Sequence, residues 1–156
     1  MKKFELTQEA ITVMGKKLYR ILALIRFGTV FKGELGGYVE AEKNLSQSGD
    51  AWVFGNARVF GNAQVSGDAR VFGDARVSGN ARVSGDAWVF GTCINIRGRW
   101  NITITDNHIS IGCELHTIAQ WFKFKDIRIS KMAPDALEWW ERNKEWLKLL
   151  CVTRGQ

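Results

Sequence analysis

No apolar run in the 156-residue chain approaches the roughly 18 residues that a membrane span requires. Ile21-Leu22-Ala23-Leu24-Ile25 has the length of a strand. Met1-Lys2-Lys3-Phe4-Glu5 runs on into Thr7, Gln8 and Glu9, so no apolar leader region follows the lysines. Cysteine is scarce and odd in number: Cys93, Cys113 and Cys151 do not make a disulfide framework. A cytoplasmic protein with no membrane partner is therefore expected. Histidine is scarcer still, with only His108 and His116, both outside residues 51–92. The P-loop and the G-x-G-x-x-G fingerprint are absent. So is any helix-turn-helix or zinc-finger pattern, which argues against sequence-specific DNA binding.

The chain is rich instead in self-similarity. From Ala51 it reads AWVFGN, ARVFGN, AQVSGD, ARVFGD, ARVSGN, ARVSGD, AWVFGT. These are seven gapless units of A-x-V-x-G followed by Asn or Asp, broken only by Thr92. Each unit alternates inward Ala and Val with outward residues, which is the period of a strand. Gly followed by Asn or Asp supplies a tight corner. A four-residue strand cannot hold a core alone, but stacked coils spaced about 4.8 Å apart can. The period extends backward, with Leu35, Ala41 and Gln47 in the Val phase and Val39 and Leu45 in the Ala phase. After Thr92 it slips by one residue, through Ile94, Ile96, Trp100 and Ile102, so a bulge near Cys93 is expected.

This pattern resembles the left-handed parallel β-helix of hexapeptide-repeat proteins. The resemblance implies three hexapeptides per coil, about four coils, and a homo-oligomer of trimeric type. The expected architecture is mainly β. Capping strands occupy residues 1–32, the β-helix 33–105, and a C-terminal cap 106–156, with a helix over about 134–151. Pro134 and Asp135 suit the start of that helix.

Coils of three hexapeptides stack outward positions into columns. Trp52, Arg70 and Trp88 form one, and Phe54, Phe72 and Phe90 form the next. Such an aromatic face is expected to be covered by another subunit, by the C-terminal helix or by a ligand. Trp52, Phe54, Phe72, Trp88 and Phe90, with Trp140 and Leu147 of the helix, are the expected interface. The remaining columns set Arg58 over Arg76 and Gln64 over Arg82.

The formal charge is +6 and is uneven. Residues 1–45 carry eight Lys/Arg against five Asp/Glu, residues 46–92 four of each, and residues 93–156 ten against seven. A neutral repeat with basic flanks favours anionic partners. Arg58, Arg70, Arg76, Arg82, Arg97 and Arg99 are the candidate ligand-binding residues. The alternative is that the arginines pair with Asp50, Asp68, Asp74 and Asp86 across the corners.

Cys93, His108, Cys113 and His116, with Asp106, are of zinc-binding type, and Cys113-x-x-His116 has the spacing of half a site. No second half is recognisable, and buried cysteine and hydrogen-bonded histidine account for the same letters. No metal and no cofactor is expected. Hexapeptide β-helices are often acyltransferases that use a histidine base. Here His108 or His116 would have to reach back from the flank. An acyltransferase is therefore the alternative to a non-enzymatic binding protein, and no catalytic residue is assigned.

Three further stretches resemble a family of small phage and prophage hexapeptide-repeat proteins, also described as polymer-forming. They are MKKFELT with GKKLYRI, GELGGYVEAEKNLSQSGDAWV, and WNITITDNHISIGCELHTIAQW leading to ALEWW. The resemblance implies life in a bacterial host cell. Small phage proteins of this kind often antagonise host defence, by sequestering a nucleotide messenger or by blocking a defence protein. A purely structural phage component is a further alternative.

Overall fold

The computed structural model describes residues 1–91 and 93–154. Its central feature is a parallel β-solenoid. Two-residue strands mark each repeat: β4 (Trp52–Val53), β5 (Arg58–Val59), β6 (Gln64–Val65), β7 (Arg70–Val71), β8 (Arg76–Val77), β9 (Arg82–Val83) and β10 (Trp88–Val89). We number the preceding strands β1 (Phe4–Val13), β2 (Lys16–Ala23) and β3 (Leu35–Val39). Pairing fixes the period, because Trp52 lies beside Arg70, Arg58 beside Arg76 and Gln64 beside Arg82, so that each hexapeptide stacks on the third one after it. Every repeat Ala and Val from Ala51 to Val89 is at most 1% exposed, which makes a dry core of small side chains. The corner glycines take the left-handed conformation; Gly67, for example, has φ +66°. A Cβ there would also approach the backbone nitrogen of Gly85 to 2.9 Å, so both angle and stacking demand glycine.

The first coil departs from the expected phase. Val39 pairs with Val59 and Leu45 bridges to Val65, so this coil is longer than the later ones by two positions. Val39 and Leu45 therefore occupy the Val level rather than the Ala level. The two extra residues lie between Leu45 and Val53, eight positions apart where Val65 and Val71 are six, while the preceding corner, built as a 3-10 turn over Glu42–Asn44, keeps the usual length. Buried Asn44 fills that corner, donating from Nδ2 to Gly61 O and Ala63 O and accepting from Ala41 N–H.

The N-terminal cap is an antiparallel hairpin, β1 with β2, which pairs onto β3 and so extends one solenoid sheet in the order β1-β2-β3-β5-β8. Phe4 and Phe27 lie edge-on to Trp52 at 6.2 and 5.2 Å between centroids.

Residues 94–104 do not continue the solenoid. They form β11 (Ile94–Arg97) and β12 (Asn101–Ile104), which with β13 (His108–Ile111) and β14 (Glu114–Thr117) make an antiparallel meander. The one-residue slip after Thr92 is thus the start of a new sheet, not a bulge inside a coil. This sheet closes the open end with side-chain oxygens that stand where the next coil's carbonyls would be. Thr103 Oγ1 accepts from Arg82 N–H, Asn95 Oδ1 from Asn80 N–H, Asn107 Oδ1 from Trp88 N–H and Asp106 Oδ2 from Phe90 N–H. An uncovered edge would leave these donors unpaired by protein.

Three helices cover the far side of the meander: α1 (Ile118–Lys123), α2 (Asp126–Ser130) and α3 (Ala136–Arg154). Thr117 and Gln120 start α1 with a reciprocal capping box. Ile104, Ile109, Trp121, Ile129, Trp140 and Leu147 form a second core, separate from that of the solenoid. Helix α3 therefore packs on the meander, not on a solenoid face. Among the described residues no helix is long and apolar enough to cross a membrane.

Candidate functional site

The six candidate arginines divide among different surfaces. Arg58 and Arg76 are neighbours on the sheet that carries the hairpin, with Tyr38 ahead of Arg58. Arg58 is half-buried, and its Nε lacks a hydrogen-bond partner. Arg70 lies in register between Trp52 and Trp88. Arg99 is held by Asp135 at 3.0 Å and sits over the Trp100 ring, and this arginine holds the Asp135 carboxyl below its ordinary range. None of Arg58, Arg70, Arg76 and Arg82 pairs with a corner aspartate among the described residues.

Arg82 and Arg97 do come together. With Lys43 they line a groove of about 560 Å³, whose other walls are Asn62, Gln64, Asn80, Asn101 and Gly112. Three parts of the chain build it. Lys43 comes from the 3-10 corner, Gln64 and Arg82 from β6 and β9, and Arg97 and Asn101 from the meander. The floor is an amide ladder. Asn101 Nδ2 donates to Asn80 O at 3.0 Å, Asn95 Nδ2 to Asn101 Oδ1 at 2.7 Å, and Lys43 Nζ to Asn62 Oδ1 at 3.2 Å. No carboxylate lines the groove among the described residues. Such a site presents fixed donors and positive charge, the chemistry that holds phosphate and carboxylate oxygens.

The sequence reading missed Lys43, Asn62, Gln64, Asn80 and Asn101. One signal was available, because Asn62 and Asn80 stand one coil apart in a corner column with no aspartate, beside Gln64 over Arg82.

The aromatic face is only partly as expected. Trp52 is 1% exposed, because the N-terminal residues fold over the first coil and bury it inside the same chain. Phe54, Phe72 and Phe90 do form a ladder, stacked at 5.0 and 4.8 Å with nearly parallel rings. Phe54 and Phe72 are partly buried, whereas Phe90 at the end of the ladder is 55% exposed and Trp88 of the neighbouring column 46%. Trp140 and Leu147 lie in the second core.

The cysteines and histidines are spread apart. Ile109 pairs with His116 and His108 with Thr117, so the two histidines project from opposite faces of the meander. His108 faces the solenoid end, with Nε2 3.1 Å from Asp86 Oδ1 and Nδ1 buried without a hydrogen-bond partner. His116 faces the helices against Trp121 and Phe124, and its Nε2 lies 2.7 Å from Glu114 rather than near a thiol. Cys93 is buried and Cys113 exposed. No group of three or more His, Cys, Asp or Glu stands where it could hold a metal ion among the described residues.

Comparison with curated proteins gave no match. Residues 63–77 and 75–91, which include the last two stacked levels, each match the model of the YdcK β-solenoid repeat, and the chain is similar to that repeat family through these coils.

Proposed function

We propose that the chain is a binding protein rather than a catalyst, and that the basic groove takes a phosphate-bearing, nucleotide-like anion. The groove's composition carries the reading: three cations and four amide side chains, with no carboxylate lining among the described residues. Guanidinium forks suit phosphate oxygens, and primary amides offer the paired donor and acceptor that match a base edge. A volume of about 560 Å³ suits a small-molecule ligand. Among the described residues the lining contains no histidine, which favours binding over acyl transfer. In this reading the coils are left-handed, as the hexapeptide resemblance implies, and the chain assembles as a homotrimer. Its role is of phage or prophage type, with the sequestered anion a messenger of host defence.

Thermal shift tests it. Cyclic di- and trinucleotides and ADP-ribose derivatives, with adenylate as control, should include one that stabilises the fold by about 2.7 kcal/mol at a hundred times its dissociation constant. Arg82→Ala and Arg97→Ala should each weaken that ligand about tenfold or more, since each removes a charged hydrogen bond. Arg76→Ala, on another face, should leave binding unchanged. If no nucleotide shifts the melting temperature while the protein still inhibits a defence system in cells, direct binding to a defence protein replaces this reading.

A further inference from the structure

The second core contains an unfilled space. Trp100, Trp121, Trp139 and Trp140 line a cavity of about 130 Å³ together with Met132 and Glu114. It adjoins the basic groove at Gly112, which lines both, but its walls are aromatic and aliphatic. The indoles are set by one another: Trp121 stacks on Trp140 at 5.5 Å, and Trp100 meets Trp139 edge-on at 5.3 Å. Trp121 Nε1 already donates to Ile109 O at 2.7 Å, so this ring needs no polar partner from the cavity.

Glu114 is the charged residue of the lining. Its Oε2 is engaged, 2.7 Å from His116 Nε2 and 3.8 Å from Arg128 Nη2. Its Oε1 makes no hydrogen bond among the described residues. Arg128 offsets the charge of Glu114, and Arg99 over Trp100 is paired with Asp135, so the surroundings carry no net negative charge to draw a cation.

Size, wall and acceptor together define an occupant. An apolar cavity near 150 Å³ stays dry and accepts benzene, so about 130 Å³ admits one ring and not two. Indole walls stack on or meet the edge of a planar ring. A carboxylate oxygen at the lining accepts a hydrogen bond that a bare hydrocarbon cannot give. We propose that this cavity binds a single neutral planar ring carrying one O–H or N–H donor, of the phenol or aniline class, with the donor on Glu114 Oε1. The proposal is independent of the anion groove.

The test titrates the full chain with phenol, benzene and tetramethylammonium, reading tryptophan fluorescence and melting temperature. Phenol should give a saturable change and bind about tenfold or more tightly than benzene, the margin of a hydrogen bond to a charged acceptor. Tetramethylammonium should give none. Glu114→Gln should bring phenol down to the affinity of benzene. Ala133→Leu, which fills the cavity from its lining, should abolish both responses while the circular dichroism spectrum stays unchanged. Arg97→Ala should leave phenol binding intact, which separates this site from the groove. The absence of a saturable response to phenol overturns the proposal, as does tighter binding of tetramethylammonium. Equal affinity for phenol and benzene in the unmodified chain overturns the role of Glu114, even if the Glu114→Gln variant fails to fold.

Discussion

Lys3 is 2% exposed, and its ammonium sits under the first coil, 2.9 Å from Ala51 O and 3.2 Å from Gly49 O. It also lies over the Phe27 ring at 4.8 Å. The charge is held by carbonyls and a ring face rather than by water. Burial pushes its pKa down to about 8 from 10.5, against the opposing pull of Asp50. Between those values the unfolded chain binds more protons at this site than the folded one. Stability contributed by Lys3 therefore rises with pH across roughly 8 to 10.5, and the gain is lost as pH falls toward 8. Urea unfolding midpoints should climb through this window in the unmodified protein, and the climb should shrink in Lys3→Met. Parallel pH profiles for the two proteins would show that Lys3 does not titrate there.

Among the elements, the meander that closes the solenoid owes its place to polar side chains rather than apolar fit. Thr103 is 1% exposed and its Oγ1 accepts from Arg82 N–H at 3.0 Å. Thr103→Val keeps the shape and removes the acceptor, so a backbone donor at the end of the last coil is left unpaired. The expected cost is about 1–3 kcal/mol in chemical unfolding. A smaller loss would mean that water reaches Arg82 N–H and that the cap is looser than its geometry. Helix α3 matters differently. Truncation after Pro134 removes Trp140 and Leu147 from the second core and bares Trp121 and Ile109. The truncated chain should aggregate, and continued solubility with unchanged stability would make the helix an appendage.

The coils were legible in the sequence because each Ala and Val has one local duty, to point inward, and the period repeats it. The meander was not. Ile94, Ile96, Ile102 and Ile104 alternate as solenoid strands do, and only the pairing partner distinguishes parallel stacking from an antiparallel turn-back. Trp52 shows a related limit. Alternation correctly points it out of its coil, but whether an outward residue meets water depends on Phe4 and Phe27, which lie far away in sequence. The groove was half legible. Arg82 and Arg97 were singled out, while Lys43 enters through a 3-10 corner that lacks the repeat's glycine, and Asn101 through the sheet that follows the solenoid.

At the scale of the whole molecule, one chain has closed both ends of its solenoid but only one end of its aromatic face. The hairpin and the loop with Phe27 cover Trp52, whereas Trp88 and Phe90 remain about half exposed beside the stacked Phe72. Exposed aromatic surface continuous with a buried ladder is the type that a subunit contact covers. The two tryptophans of the column should therefore answer the same substitution in opposite ways. Trp52→Glu takes the buried indole from between Phe4 and Phe27 and leaves a carboxylate against the solenoid core, where even the neighbouring Arg70 and Lys3 cannot replace the lost packing. It should cost about 4 kcal/mol or more and unfold the chain at moderate temperature. Trp88→Glu places the charge at a surface of one chain, so the circular dichroism spectrum of the folded protein should persist. If that surface is the contact of a homotrimer, native mass spectrometry of Trp88→Glu should show monomer where the unmodified protein shows three chains. A Trp88→Glu protein of unchanged mass would move the subunit contact off this face. A folded Trp52→Glu protein would mean that the N-terminal cover is not a fixed part of the core.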